Sequence, residues 1–163
     1  MYTTVFPDGT ILHIEDLAIN KLFMHIQKHK TDMEAGGILL GKRYQKREEY
    51  IISDISEPDE RDIRSRFAFV RSKHSAQRII NQLWAESNGI INYLGEWHTH
   101  PEYRATPSQV DKKLIEQIIH DHSNVFVKVF LIIIGTDQSL YVGMADSSIS
   151  NNIIFSKRLG ETK

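Results

Sequence analysis

Gly95-Glu96-Trp97-His98-Thr99-His100-Pro101, followed by Thr106-Pro107-Ser108-Gln109-Val110-Asp111, is the stretch on which the reading of this chain turns. Residues Ile90 to His100 have the pattern of a strand, and side chains on a strand alternate between its faces. His98 and His100 therefore share one face and can hold one ion, while Trp97 and Thr99 face the other way, with Trp97 in the core. After a short loop the pattern becomes helical from Pro107 to His120, with Thr106 as N-cap, Pro107 at the first helical position and Gln109 as the capping-box partner. That assignment leaves Ser108 free. Ser108 and Asp111, three residues apart, then lie on one helix face and can point at one site. Two imidazoles and one carboxylate, with a fourth position left to water, make the composition of a catalytic zinc site and not of a closed structural one.

Each of these features also has an ordinary reading. A histidine at a strand end is commonly surface or satisfied core, and Ser-x-x-Asp before an apolar helix is a common capping box. The case for chemistry rests on the joint spacing of His98, His100, Pro101, Ser108 and Asp111 across a strand, a loop and a helix start. His120 and His122 form the other histidine pair of this spacing. They end a helix beside Asp121, where a histidine suits the helix dipole, and are expected to be structural.

A hydrolytic metal site also needs a group that takes a proton and passes it to the leaving amine. Glu34, followed by Ala35-Gly36-Gly37, is the candidate, because the glycines allow a sharp turn or a close backbone approach. Its alternative is an ordinary exposed carboxylate near a loop. Glu96 shares the histidine face and is expected in a supporting or solvent-exposed position.

The rest of the chain alternates strands and helices. Short strands are expected at Thr3–Phe6 and Thr10–Ile14, a helix over Glu15–Lys30, and strands at Gly36–Tyr44 and Tyr50–Ile55 joined by a hairpin at Gln45–Glu49. An exposed charged loop follows over Ser56–Arg66, then a strand at Phe67–Val70 and a helix over Ser75–Ser87 stopped by Asn88-Gly89. Strands at Val125–Ile134 and Leu140–Ala145 come next, with a last short one at Ile153–Phe155 and a charged, fraying end after Ser156. The fold class is α/β (α+β), in one domain spanning residues 1–163.

Composition narrows the function. The chain has 163 residues, 40% hydrophobic and 25% charged, enough for one substantial core. A net charge of −1 and a pI near 6.7 give no global attraction to nucleic acid or to an anionic membrane. With no cysteine, disulfides, thiolate ligands and a cysteine nucleophile are excluded. The amino-terminal residues lack a signal-peptide pattern, and the apolar run Val125–Ile134 is broken by Lys128 and too short for a bilayer, so a cytoplasmic location is expected. Arg61, Arg64, Arg66, Arg71, Lys73 and Arg78 are interleaved with Asp59, Glu60 and Asp62 and lack a stacking pattern, which argues against nucleic acid.

Glu34-Ala35-Gly36-Gly37-Ile38-Leu39-Leu40-Gly41, then His98-x-His100-Pro101, then Ser108-x-x-Asp111, resembles the full signature of the JAMM (MPN+) metalloproteases. The resemblance implies a cytidine-deaminase-like fold, a mixed, curved sheet with about three helices packed on it. It implies one Zn2+ held by His98, His100 and Asp111, with Glu34 as general base and acid and Ser108 stabilising the oxyanion. Members of that family hydrolyse peptide or isopeptide bonds after the carboxyl-terminal glycine of ubiquitin or ubiquitin-like proteins. More narrowly the chain is similar to JAMM deconjugases of bacterial antiphage (CBASS) operons, where an E1–E2 fusion protein joins a cGAS-like nucleotidyltransferase to targets and the deconjugase removes it. Ser56–Lys73 is the expected substrate-reading segment, with Arg64 and Arg66 as its contacts. The alternatives are a processing peptidase for a sulfur-carrier ubiquitin-like protein, a non-catalytic scaffold of the same fold, and a nucleic-acid-linked role.

Overall fold

The fold was described from a computed structural model, which covers residues 1–44, 46–122, 125, 127–148 and 155–159, the last of these as backbone only. The elements run β1 (Tyr2–Val5), β2 (Ile11–Ile14), α1 (Asp16–Met24), β3 (Gly36–Tyr44), β4 (Glu49–Ile55), β5 (Ile63–Ser65), β6 (Ala68–Val70), α2 (Lys73–Glu86), β7 (Asn92–Thr99), α3 (Gln109–Asp121), β8 (Lys128–Ile134), β9 (Leu140–Asp146) and β10 (Phe155–Leu159). Eight strands form one sheet in the order β1-β2-β4-β3-β7-β8-β9-β10, and β5 and β6 form a separate hairpin. The sheet is mixed: β2 runs parallel to β4 and β7 parallel to β8, the other pairs being antiparallel.

Both faces of the sheet are covered, which is why the central strands read as nearly continuous apolar runs. One core gathers Leu12, Ile14, Leu39, Trp97, Ile132 and Val142 under Ala18, Ile19 and Leu22 of α1. The other gathers Ile38, Leu40, Leu131 and Ile133 with Ala76 of α2 and Ile115 and Ile119 of α3. Trp97 is 1% exposed, as expected of a core residue.

Gly95 sets the phase of β7. Its φ is +150°, and a Cβ there would sit 1.9 Å from the Phe130 carbonyl oxygen, so only glycine lets β7 approach β8 this closely. The register against β3 slips at this point, pairing Leu39 with Gly95 but Leu40 with Tyr93. After that bulge Glu96 lies on the same side as Tyr93, whose hydroxyl donates to it at 2.8 Å, and alternation carries His98 to that side as well.

Several expected boundaries shift for physical reasons. Helix α1 stops at Met24, not Lys30, because Gln27 is buried and its amide donates to the carbonyls of Asp32 and Arg66, bonds a continuing helix would not allow. The stretch Ser56–Arg66 is not a plain exposed loop. Ser56 is buried, its Oγ accepts from Ile38 N–H and its carbonyl accepts from Trp97 Nε1, while Ile63–Ser65 pairs with Ala68–Val70. Helix α2 ends as read, with Asn88 and Gly89 both at positive φ. The chain after Ser156 does not simply fray, since Phe155–Leu159 pairs with β9. Gln45, and Ile153 and Ile154 of the expected last strand, lie outside the described residues. Among the described residues, no helix is long and apolar enough to cross a membrane.

Candidate metal and catalytic site

The end of β7 delivers two imidazoles to one point, as the alternation argument requires. His98 and His100 face each other at 3.1 Å between their Nε2 atoms, and their rings lie 4.9 Å apart. Asp111 on α3 closes the group, with Oδ1 at 3.1 Å from His98 Nε2 and Oδ2 at 3.5 Å from His100 Nε2. Among the described residues this is the one group of three or more acidic or histidine side chains whose donor atoms could hold a metal ion.

Burial and partners set the charges. Burial alone would raise the Asp111 carboxyl, but hydrogen bonds from His100 and His98 outweigh it and hold the group well below the usual carboxylate range. Burial alone would depress His100, yet its bond to Asp111 together with the charges of Asp111, Glu34 and Glu102 raises it on balance.

The start of α3 corrects one expectation. Ser108, not Thr106, is the N-cap, and the helix begins at Gln109. Ser108 Oγ accepts from Asp111 N–H at 3.2 Å, and Asp111 Oδ2 accepts from Ser108 N–H at 2.6 Å. Ser108 is therefore not freed by a separate cap. This reciprocal box fixes the first turn and also aims the Asp111 carboxylate, so the ordinary reading of Ser-x-x-Asp and the ligand reading fall on the same atoms.

Glu34 is 5% exposed and sits just before β3, whose first residue, Gly36, pairs with His98. Ala35 is bonded twice to the residue between the two histidines: Thr99 N–H donates to its carbonyl at 2.8 Å, and its own N–H donates to Thr99 Oγ1 at 3.0 Å. Burial pushes the Glu34 carboxyl up to about 7; His100 opposes the rise, and Asp111 and Glu102 add to it. An ordinary exposed carboxylate is excluded by these observations.

Glu96 is neither solvent-exposed nor directed into the histidine pair. It is buried and held by Arg71, whose Nε reaches its two oxygens at 3.0 and 2.8 Å and whose Nη2 reaches Oε1 at 2.8 Å. His120 and His122 stay apart from the site, His120 being exposed and His122 capping α3. Three residues beside the site carry no motif in the sequence: Gln27, Arg64 and Arg71. Arg64 Nε donates to the Glu34 carbonyl and Arg66 Nη1 to the His29 carbonyl, so each of the two expected substrate contacts has one guanidinium N–H bonded within the chain.

A buried pair of imidazoles, a carboxylate fixed by a helix cap and a glutamate just before the adjacent strand β3 bring together the kinds of side chain that a metal-dependent hydrolase uses. Residues 17–146 match the family model described as prokaryotic homologs of the JAB domain, and the chain belongs to that family. It is 39% identical over 115 residues to the CD-NTase/cGAS isopeptidase of Escherichia coli (strain TW11681), covering 69% of this chain and 72% of that one. Over 134 residues it is 36% identical to the CD-NTase/cGAS isopeptidase of Vibrio cholerae serotype O1, covering 80% and 81%. In fold it is similar to the solution structure of protein DSY2949 from Desulfitobacterium hafniense, with a TM-score of 0.57 and 17% identity over 91% of this chain and 89% of that chain.

Proposed function

We propose that the protein is a zinc-dependent isopeptidase that releases a cGAS-like nucleotidyltransferase from the proteins to which its carboxyl terminus has been joined, in the cytoplasm of a bacterium defending itself against phage. The observation that carries the chemistry is the convergence of His98, His100 and Asp111 beside a buried glutamate whose carboxyl titrates near neutrality. The substrate class is supported by the chain's similarity to the two CD-NTase/cGAS isopeptidases. The E1–E2 fusion protein that would make the conjugate is the implied upstream partner.

The donor set fits zinc. Two imidazole nitrogens and one carboxylate oxygen are the usual three ligands of an open catalytic site, and bonds of about 2.0–2.1 Å to a tetrahedral ion put neighbouring ligand atoms roughly 3.3 Å apart. The separations of 3.1 to 3.5 Å at this site bracket that value. Zinc bound there supplies a Lewis acid and brings the pKa of a water towards about 7. Glu34 accepts the proton of the attacking water and returns it to the leaving amine. Ser108 Oγ uses a lone pair on Asp111 N–H, which leaves its O–H to donate to the oxyanion. No covalent intermediate is needed.

The test uses a fusion in which a reporter domain follows the last residue of a cGAS-like nucleotidyltransferase. Purified protein is expected to carry about one zinc per chain, to cleave at that junction, and to lose cleavage on chelation. Undiminished cleavage by metal-free protein would overturn the zinc reading. A sulfur-carrier fusion cleaved in preference would move the reading to the processing peptidase.

A further inference from the structure

Glu34 is gripped through its main chain from the β5–β6 hairpin. Its N–H donates to the Ser65 carbonyl at 2.7 Å, and its carbonyl accepts from Arg64 Nε at 2.7 Å. On the next residue the grip changes hands, for Ala35 is bonded to Thr99 between the two histidines. The hairpin is itself seated on the body of the fold. Gln27 Nε2 donates to the Arg66 carbonyl at 3.0 Å, Arg66 Nη1 donates to the His29 carbonyl at 3.0 Å, and Arg71 at the end of β6 forks onto Glu96. Phe69 lies so close over Gly36 that a Cβ there would come within 2.4 Å of its ring.

We infer that Arg64 is a positioning residue for Glu34, fixing the plane of the peptide between Glu34 and Ala35 and so the direction in which the glutamate side chain leaves the main chain. The inference rests on the reading of Glu34 as the proton-transfer group. The peptide joining Glu34 to Ala35 has both polar groups bonded, its carbonyl to Arg64 and its N–H to Thr99 Oγ1, and the peptide before it is held by Glu34 N–H on Ser65; little freedom to rotate remains, and the carboxylate at the far end of two methylenes inherits that order. Removing the guanidinium releases the carbonyl, and a displacement of about 1 Å at a reacting group is worth on the order of 100-fold in rate. A charged donor suits the role because its bond to a carbonyl is stronger than a neutral one.

The experiment compares Arg64→Ala and Arg64→Met, which keeps much of the aliphatic stem, with Arg64→Lys and with Glu34→Gln, on the nucleotidyltransferase–reporter fusion. The Ala and Met variants are expected to lose roughly 10-fold to 100-fold in kcat, with KM, zinc content and thermal midpoint unchanged, and Arg64→Lys to recover part of the loss by restoring one N–H donor. Unchanged kcat in a folded, metal-loaded Ala or Met variant overturns the inference. So does a loss carried by KM, which makes Arg64 a substrate contact, or a loss of zinc or of folding in both variants, which makes it a structural residue. Glu34→Gln separates the two levels. If it retains turnover, the assignment of Glu34 fails; if it is inactive while Arg64→Met is fully active, only the positioning role fails.

Discussion

Two buried clusters of charge lie at opposite ends of the parallel pair β7–β8, and they differ in where their positive charge comes from. At the end where β8 begins, Lys128 Nζ stands 2.7 Å from Asp8, 2.6 Å from Thr10 Oγ1, 3.3 Å from Asp146 and 3.5 Å from Glu48. The carboxylates there share the chain's own ammonium, whose bonds and ion pairs with Asp8 and Asp146 together outweigh burial and raise its pKa. At the end where β7 finishes, Asp111 meets two imidazoles. Imidazole is the side chain that can either carry a proton or lend a lone pair, so this cluster can give up its protons to a divalent ion and the lysine cluster cannot. Glu96 repeats the lesson two residues from His98: its two oxygens are taken by Arg71, whereas the Glu34 carboxyl keeps its chemistry.

The comparison breaks most visibly at the metal group. His98→Ala or Asp111→Ala should abolish zinc binding and lower turnover by more than about 1000-fold, while Glu34→Gln should keep the zinc and lose about as much. Metal analysis beside a cleavage assay checks this, and equal zinc loss in all three would make Glu34 a ligand. At the other end Lys128→Met should leave zinc content intact and destabilise the fold by about 3–5 kcal/mol, since it strands buried carboxylates. Urea unfolding measures the cost; a neutral outcome would mean that Asp8 and Asp146 are reached by water.

A smaller effect separates the two ends by pH. The Glu34 carboxyl is raised from 4.5 to about 7 by folding, so its protonated form is favoured in the native state. The stability it contributes is fully present below 4.5 and lost as pH rises through 7, by at most about 3 kcal/mol. Metal-free Glu34→Gln should therefore gain stability relative to the parent between pH 4.5 and pH 8, read from urea midpoints, and parallel curves would show an unshifted carboxyl. Smallest in stability is Ser108→Ala, which removes the N-cap of α3 at a cost of about 1 kcal/mol. On turnover the same change should cost about 100-fold or more if the hydroxyl serves the oxyanion, and only a few-fold if the cap is its whole role.

The site was legible where chemistry and local geometry coincide. The period of a strand puts His98 and His100 together without knowledge of the fold, and three residues on a helix put Ser108 near Asp111. The helix start was misplaced by two residues because Thr106-Pro107 and Ser108-x-x-Asp111 are both sound capping patterns, and propensity does not choose between them. Glu34 could be named from its glycine-rich sequel but not located, since its approach to His98 depends on the pairing of β3 with β7, a contact between residues far apart in sequence. Arg64, Gln27 and Arg71 were invisible for the same reason. Each acts through a carbonyl or carboxylate supplied by a distant segment, and nothing in a charged loop distinguishes an arginine that binds its own chain from one that waits for a partner.

The cap at the start of α3 bears on how relatives of this chain lose their activity. Ser108 and Asp111 hold the first turn of a helix whether or not an ion is present, so a descendant freed from catalysis still gains about 1 kcal/mol by keeping them. His98 and His100 offer no such return once the ion is gone, because two imidazoles packed against each other are merely two buried bases. Drift should therefore erase the histidines first and leave Ser-x-x-Asp behind as a fossil, and a relative that carries the fossil without the pair is a scaffold, whatever the rest of its sequence preserves.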